Sequence, residues 1–232
     1  MSRFMKGAIP SPNIWNTPQT YELENRAVDP EGRVEAAMAA IRPPAAATVL
    51  DIGCGTGYHL PSLSATAARV IGVEPHDDLV QLARRRCRAL PNVEVHRATA
   101  QDLPLPDASV DVAVARWAYF FGPGCEPGLA ELSRVVRRGG TAFVIDLDAT
   151  RGAFGRWFSR SVPSYSAKAV EDFWARQGWR RDPLDLRMVF ERRADLEAVL
   201  RIEFTPAVAG QAIAETPGLE IAYPNVLRWK RF

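Results

Sequence analysis

The sequence predicts an α/β domain, a mostly parallel sheet with helices on both faces and an antiparallel C-terminal edge. Three observations carry that reading. Between residues 47 and 147, short runs rich in Val, Ile and Leu alternate with helix-length segments. Strands joined by such right-handed crossovers lie parallel, with helices over both faces. The first run ends in an acid and three glycines at every second position, Asp51-Ile52-Gly53-Cys54-Gly55-Thr56-Gly57. Beyond residue 149 the pattern changes, and two strand-like runs separated by helices form a hairpin-like antiparallel edge.

Taken in order, residues 1–30 carry Pro10, Pro12, Pro18 and Pro30, which argue against a helix through most of the stretch. Phe4, Trp15 and Tyr21 argue equally against a solvated tail. A strap packed on the body and a lid over a ligand both fit. Asp29 caps a helix with Pro30 at its first position, running through Val34, Met38 and Ile41 to Pro43-Pro44. Strands are then expected at 47–52, 69–74, 93–97, 109–115 and 140–147, with helices at 57–66, 77–89 and 125–137. Next come a helix over 167–177 ended by Gly178, a strand over 185–191, a helix over 194–201 and a strand over 220–230. The expected division within one domain is 1–44 strap and helix, 45–148 ligand-binding core, and 149–232 sheet completion with substrate-side helices.

Composition narrows the function classes. The 232 residues suffice for one well-buried core, and 47% hydrophobic with 24% charged content is that of a soluble globular protein. No apolar run approaches the roughly 18 residues of a membrane span. Arg3 and Lys6 precede no apolar leader, because Pro10, Pro12, Asn13 and Asn16 interrupt it. Cys54, Cys87 and Cys125 lack framework spacing, so a reducing, cytoplasmic setting is expected. A nucleic-acid groove needs basic residues on one face with aromatics among them. The formal charge is only +2, and Arg84-Arg85-Arg86, Arg137-Arg138, Arg180-Arg181 and Arg192-Arg193 fall mostly in helices or at their ends. No His, Cys and acid cluster has metal-ligand spacing.

The glycine loop sits between a strand and a helix start, where backbone N–H groups cradle a polar ligand. A dinucleotide loop would need glycine where Tyr58 stands, so a pyrophosphate ligand is disfavoured. Asp51 favours a ligand with a positive charge. Glu74, at the tip of the second strand and about twenty residues on, is placed to accept from a ribose diol.

VLDIGCGTG (49–57), VIGVEP (70–75), QDLPLPDASVDVAVA (101–115) and ELSRVVRRGGTAFVID (131–146) together resemble the successive motifs of class I S-adenosylmethionine-dependent methyltransferases. The likeness is to the small-molecule, type 11-like branch, with a Rossmann-like fold; it is strong over about residues 45–147 and loose beyond. It implies S-adenosyl-L-methionine as donor, with S-adenosyl-L-homocysteine as product. Gly53, Gly55 and Gly57 would approach the methionine part, Asp51 its ammonium, and Glu74 with Pro75 the ribose. Thr99, Ala100 and Gln101 would lie at the adenine, and Arg116 closes the cofactor set. Family members often place an acid at Thr99 or Gln101; here the nearest is Asp102, which suits a turn. The resemblance also implies a final strand inserted antiparallel beside the fifth.

After the fourth strand come Trp117, Tyr119, Phe120 and Phe121, which with Tyr21 would wall an apolar acceptor pocket. The family's histidine near this position is missing. Tyr119 is the nearest proton carrier, and a phenol near pKa 10 is a poor base. His59 follows the glycine loop, His76 follows Glu74 and His96 sits in a strand; a surface place is favoured for each, with one of the first two at the edge of the site as the alternative. The expected function is methylation of a small apolar or aromatic metabolite. An RNA-modifying enzyme and a non-catalytic cofactor-binding protein on the same fold are the alternatives.

Overall fold

A computed structural model describes Met5 and residues 7–232. Arg3, Phe4 and Lys6 lie outside the described residues. The N-terminal segment forms two short helices, α1 (Pro12–Asn16) and α2 (Pro18–Ala27), which corrects the expectation of a proline-broken strap. Each proline stands in the first turn, where its missing N–H costs no hydrogen bond and its fixed φ suits the helix. α3 (Arg33–Ile41) starts later than expected. Asp29 still caps it, its two carboxylate oxygens accepting from the backbone N–H groups of Arg33 and Val34 at 2.9 and 2.8 Å.

The core then alternates: β1 (Thr48–Ile52), α4 (Leu60–Ser64), β2 (Arg69–Glu74), α5 (Asp77–Cys87), β3 (Val93–Arg97), β4 (Val110–Arg116), α6 (Glu126–Val135) and β5 (Val136–Leu147). There follow α7 (Gly152–Ser161), α8 (Ala167–Arg176), β6 (Arg180–Val189), α9 (Arg193–Glu203), α10 (Pro206–Glu215) and β7 (Glu220–Arg231). The sequence pattern did not show α7 and α10, and β6 starts earlier than the strand expected at 185.

One seven-stranded sheet takes the order β3-β2-β1-β4-β5-β7-β6. β1 to β5 pair in parallel, whereas β7 runs antiparallel between β5 and β6. Strand side chains alternate between faces, so consecutive residues of one strand feed different cores. Val49, Val70, Val112 and Phe143 pack with α3, α4, α5 and the α7, α9 and α10 layer. Leu50, Ile71, Ala113 and Val144 pack with α6 and α8 on the other face. Strand order reverses between β1 and β4, and in open α/β sheets the crevice at such a point receives the ligand. Registers Ile52↔Val73 and Ile52↔Ala115 bring the glycine loop, Glu74 and the β4 exit to that point. Among the described residues no helix is long and apolar enough to cross a membrane.

Candidate active site

The strand tips open into a cavity of about 560 Å³. Asp51 to Thr56 line one end, and Glu74, Pro75 and residues 98–101 line a wall. Arg116 to Tyr119 face them, and α1 and α2 form the cover. The far end is closed by residues from α7, α9 and β7.

At the glycine end, backbone approaches the cavity because no side chain fits. A Cβ on Gly53 would collide with Ala118, and one on Gly55 would lie 2.8 Å from Ile14 Cδ1. Gly55 also sits at φ +55°, a left-handed conformation that side chains adopt at a cost. Gly57 departs from expectation: it is absent from the cavity wall, and a Cβ there would lie only 3.0 Å from Ala83 of α5. Its conformation serves close helix–strand packing, the job of the last glycine in such loops.

Asp51 is buried, 3.8 Å from the Arg116 guanidinium, which also donates to Glu35 at 3.1 Å. Burial pushes its carboxyl up to about 6 in spite of that arginine. Glu74 is buried as well and accepts from the backbone N–H groups of His76 at 3.0 Å and Gly55 at 3.2 Å. Burial outweighs these bonds and pushes Glu74 up to about 7. Nε and Nη1 of Arg116 are buried with no hydrogen-bond acceptor among the described residues. Two buried acids and a guanidinium short of an acceptor thus surround the glycine loop, where a zwitterionic, hydroxyl-bearing ligand would find partners.

Thr99, Ala100 and Gln101 all lie on the wall. Gln101 Nε2 donates to the Gly7 carbonyl at 3.0 Å. Asp102 is exposed and its backbone N–H closes a turn onto the Thr99 carbonyl, in keeping with a turn role.

Trp117 and Tyr119 line the cavity at φ +48° and +50°, two left-handed non-glycine residues in one short segment. Surrounding contacts hold Trp117 there: its Nε1 donates to Asn225 Oδ1 at 2.7 Å and its ring stacks on Tyr223 at 5.9 Å. The Tyr119 ring abuts Gly128, and burial of its hydroxyl raises the phenol although the Gly128 backbone works against that rise. Phe120 is a correction. The left-handed turn at Tyr119 sends it into the α6–α8 core, 1% exposed, and Phe121 takes the place on the cavity wall. Tyr21 lies on the cover, as expected.

His59 takes the place at the edge of the site that the sequence held as the alternative, and the surface expectation fails for His76. His59 borders the cavity, and burial with Arg116 and Arg86 nearby keeps its imidazole neutral. His76 is buried against the Trp15 ring, centroids 5.1 Å apart. His96 is half exposed beside Glu94 on β3. Sequence reasoning missed Glu24, Glu203, Asp146, Phe154 and Tyr223, all on the acceptor side of the cavity. Their only sequence signal is an acid or aromatic on the inward stripe of a helix or strand, legible once those elements are placed.

Residues 50–144 match the family described as "Methyltransferase domain", of type 11. With the fold, this makes that segment a class I S-adenosylmethionine-dependent methyltransferase domain, for which S-adenosyl-L-methionine is the methyl donor. A demethylmenaquinone methyltransferase of Tropheryma whipplei is 31% identical over 125 residues, 53% of this chain and 52% of that protein. A phosphatidylethanolamine N-methyltransferase of Cereibacter sphaeroides is 28% identical over 70% of this chain and 74% of that one. The crystal structure of the YcgJ protein from Bacillus subtilis superimposes with a TM-score of 0.63 at 18% identity, over 87% of this chain and 99% of that one. The chain spans 23% to 52% of the length of most of the curated relatives it matches.

Proposed function

We propose that the chain is an enzyme that moves a methyl group from S-adenosyl-L-methionine to a small acceptor with an apolar or aromatic body, in the cytoplasm. One observation carries the reading: a single cavity joins the buried acids of the glycine loop to an aromatic chamber at the β4 exit. The residues present fit the cofactor. Asp51 would hold its ammonium, Glu74 its ribose hydroxyls, the orphan N–H groups of Arg116 its carboxylate, and Thr99 to Gln101 its adenine. Bound there, the sulfonium supplies an already activated methyl, so the protein's task is chiefly placement of the acceptor. Holding reacting atoms about 3–3.5 Å apart supplies much of such a rate.

Trp117 and Phe154 would hold the acceptor's flat or apolar body, while α1 and α2 keep water out. Tyr119 is poorly placed as a base because its hydroxyl is buried against α6. The arginine clusters lend no support to an RNA acceptor. Arg86 is spent on Glu22, Arg137 on Asp111, Arg181 on Asp148 and Arg192 on Asp195, on separate elements. The acceptors named in the two curated relatives also speak for a small molecule.

Calorimetry with S-adenosylhomocysteine and NADH, followed by turnover on a metabolite panel read as S-adenosylhomocysteine release, tests the reading. Micromolar S-adenosylhomocysteine binding without NADH binding is expected. No binding, or tight NADH binding, would overturn it.

A further inference from the structure

The acceptor side of the cavity holds a group of side chains that the methyl donor leaves unexplained. Glu24 of α2 and Glu203 of α9 bring their carboxyl groups within hydrogen-bonding reach of one another on the cavity wall. Asn13 donates to Glu203 Oε1 at 2.6 Å. Glu24 is only 6% exposed, and its Oε2 has no partner among the described residues. Burial raises both carboxyl groups, and the charge and hydrogen bond of Glu203 raise Glu24 further.

Among the described residues no cation pairs with either. Tyr21 stands one turn before Glu24, Tyr223 faces the pair from β7, and the next charges out are Glu74 from β2 and Asp146 from β5. Arg116, the single guanidinium on the described cavity wall, is engaged with Asp51 and Glu35. Arg228 lies behind Asp146 and donates to Glu171 at 2.5 Å. Around the pair the walls are aromatic: Trp117 stacks on Tyr223, and Phe154 meets Tyr223 at 4.6 Å.

Resting on the methyltransferase reading above, we infer that Glu24 and Glu203 form the head-group site of the acceptor, and that this acceptor carries a protonated amine on an apolar body. Buried acids without a counter-ion are costly and want a cation, and neighbouring π-faces attract one too. An anionic head would add a charge of the pair's own sign, and a neutral hydroxyl would gain nothing from the pair's ionisation. Because burial shifts the empty pair toward its protonated form, an arriving ammonium favours ionisation and draws a proton off into solvent. Amine affinity therefore rises with pH through the pair's titration, while affinity for a neutral probe stays flat.

The test titrates the full chain, saturated with S-adenosylhomocysteine, with 4-phenylbutylamine, 4-phenylbutanol and 4-phenylbutyrate, which share one skeleton. Isothermal calorimetry in two buffers of different ionisation enthalpy should show the amine binding roughly tenfold or more tighter than the others, with net proton release. Glu24→Gln and Glu203→Gln should each remove most of that preference and the proton release, leaving S-adenosylhomocysteine affinity and alcohol binding as in wild type. Equal affinity of the wild type for amine and carboxylate overturns the proposal and leaves the pair as a clasp between α2 and α9. So does an amine preference that survives both substitutions. If S-adenosylhomocysteine does not bind, the methyltransferase reading fails separately, and the same three titrations on the unloaded chain still decide the head-group site.

Discussion

At the glycine-loop end of the cavity the polar groups come from strand tips that are neighbours in the sheet, Asp51 from β1, Glu74 from β2 and Arg116 from β4, with backbone between them. At the acceptor end they come from distant parts of the chain: Asn13 meets Glu203 across 190 positions and Trp117 meets Asn225 across 108. The first end is held by sheet register, which a single side chain cannot move. The second is held by side-chain contacts among α1, α2, α9, β7 and the turn after β4, so its shape follows substitutions on any of these. A class of enzymes can thus keep one donor site while varying the acceptor: the family match over residues 50–144 spans the first end and, of the second, only the β4 exit.

The largest break in that comparison should come from Gly55→Val. Its side chain would need space already held by Ile14 at a left-handed backbone position, so S-adenosylhomocysteine binding should become undetectable by calorimetry. Circular dichroism should still report a folded sheet domain, destabilised by roughly 1–2 kcal/mol for the strained φ. Unchanged cofactor affinity in a folded Gly55→Val chain would remove the loop from the donor site.

Glu74→Ala should weaken S-adenosylhomocysteine by roughly 1.5–3 kcal/mol, about ten- to a hundredfold, since a hydrogen bond to a charged acceptor is lost. The pH dependence has a definite sign. Glu74 titrates near 7 in the folded chain against an ordinary value of 4.5, so between those limits the folded chain binds the proton more tightly. Stability therefore falls as pH rises through that window, by roughly 3 kcal/mol from this group, and the loss is complete above the folded value. Glu74→Gln should flatten the decline in thermal midpoint between pH 4.5 and 7. Cofactor affinity should run the opposite way and rise over the same range, because ribose hydroxyls donate to the ionised carboxylate.

Both of these act on the end that the sequence displayed. β2 and β3 were legible to the residue, since Val- and Ile-rich runs are bounded by polar or proline residues. The acceptor end was not legible, for two physical reasons. Pro12 and Pro18 were read as breakers although both sit where a helix begins, which hid α1 and α2 and with them Glu24. Gly152, Gly155 and the Pro206–Gly210 stretch masked α7 and α10, whose cohesion comes from burial of Phe154, Trp157 and Ala212 and not from local propensity. At the β4 exit the aromatic cluster was visible but its directions were not. Left-handed turns at Trp117 and Tyr119 break strand alternation, so Phe120 leaves its expected place on the wall for the core while Phe121 keeps its own.

A smaller effect should sharpen the boundary between the two ends. Glu22 of α2 binds Arg86 at 2.7 Å and also accepts from the Thr56 hydroxyl, which fastens the cover to the glycine loop. Glu22→Ala should weaken S-adenosylhomocysteine only several-fold, on the order of 1 kcal/mol for a partly exposed pair. Hydrogen exchange over residues 12–27 should quicken in this variant and slow on ligand addition in wild type. Fast exchange in wild type, indifferent to ligand, would make the segment packing and nothing more. Smallest of all is Tyr119→Phe, expected to keep more than about a tenth of wild-type turnover, because losing a general base typically costs 10²–10⁴-fold and its hydroxyl is buried against α6. A thousandfold drop at unchanged acceptor affinity would identify Tyr119 as the base.

The place of β7 between β5 and β6 has a consequence for how the protein is made. Ribosomes synthesise both neighbours before the strand that joins them. At roughly 5–20 residues per second, the β5 edge stays open for several seconds while the rest of the parallel sheet can already form. An unpaired strand edge is a template for another nascent chain. Yield in cells should therefore depend on holdase chaperones and expression temperature more than the finished sheet's stability suggests, and refolding from denaturant should be slow until this long-range pairing is complete.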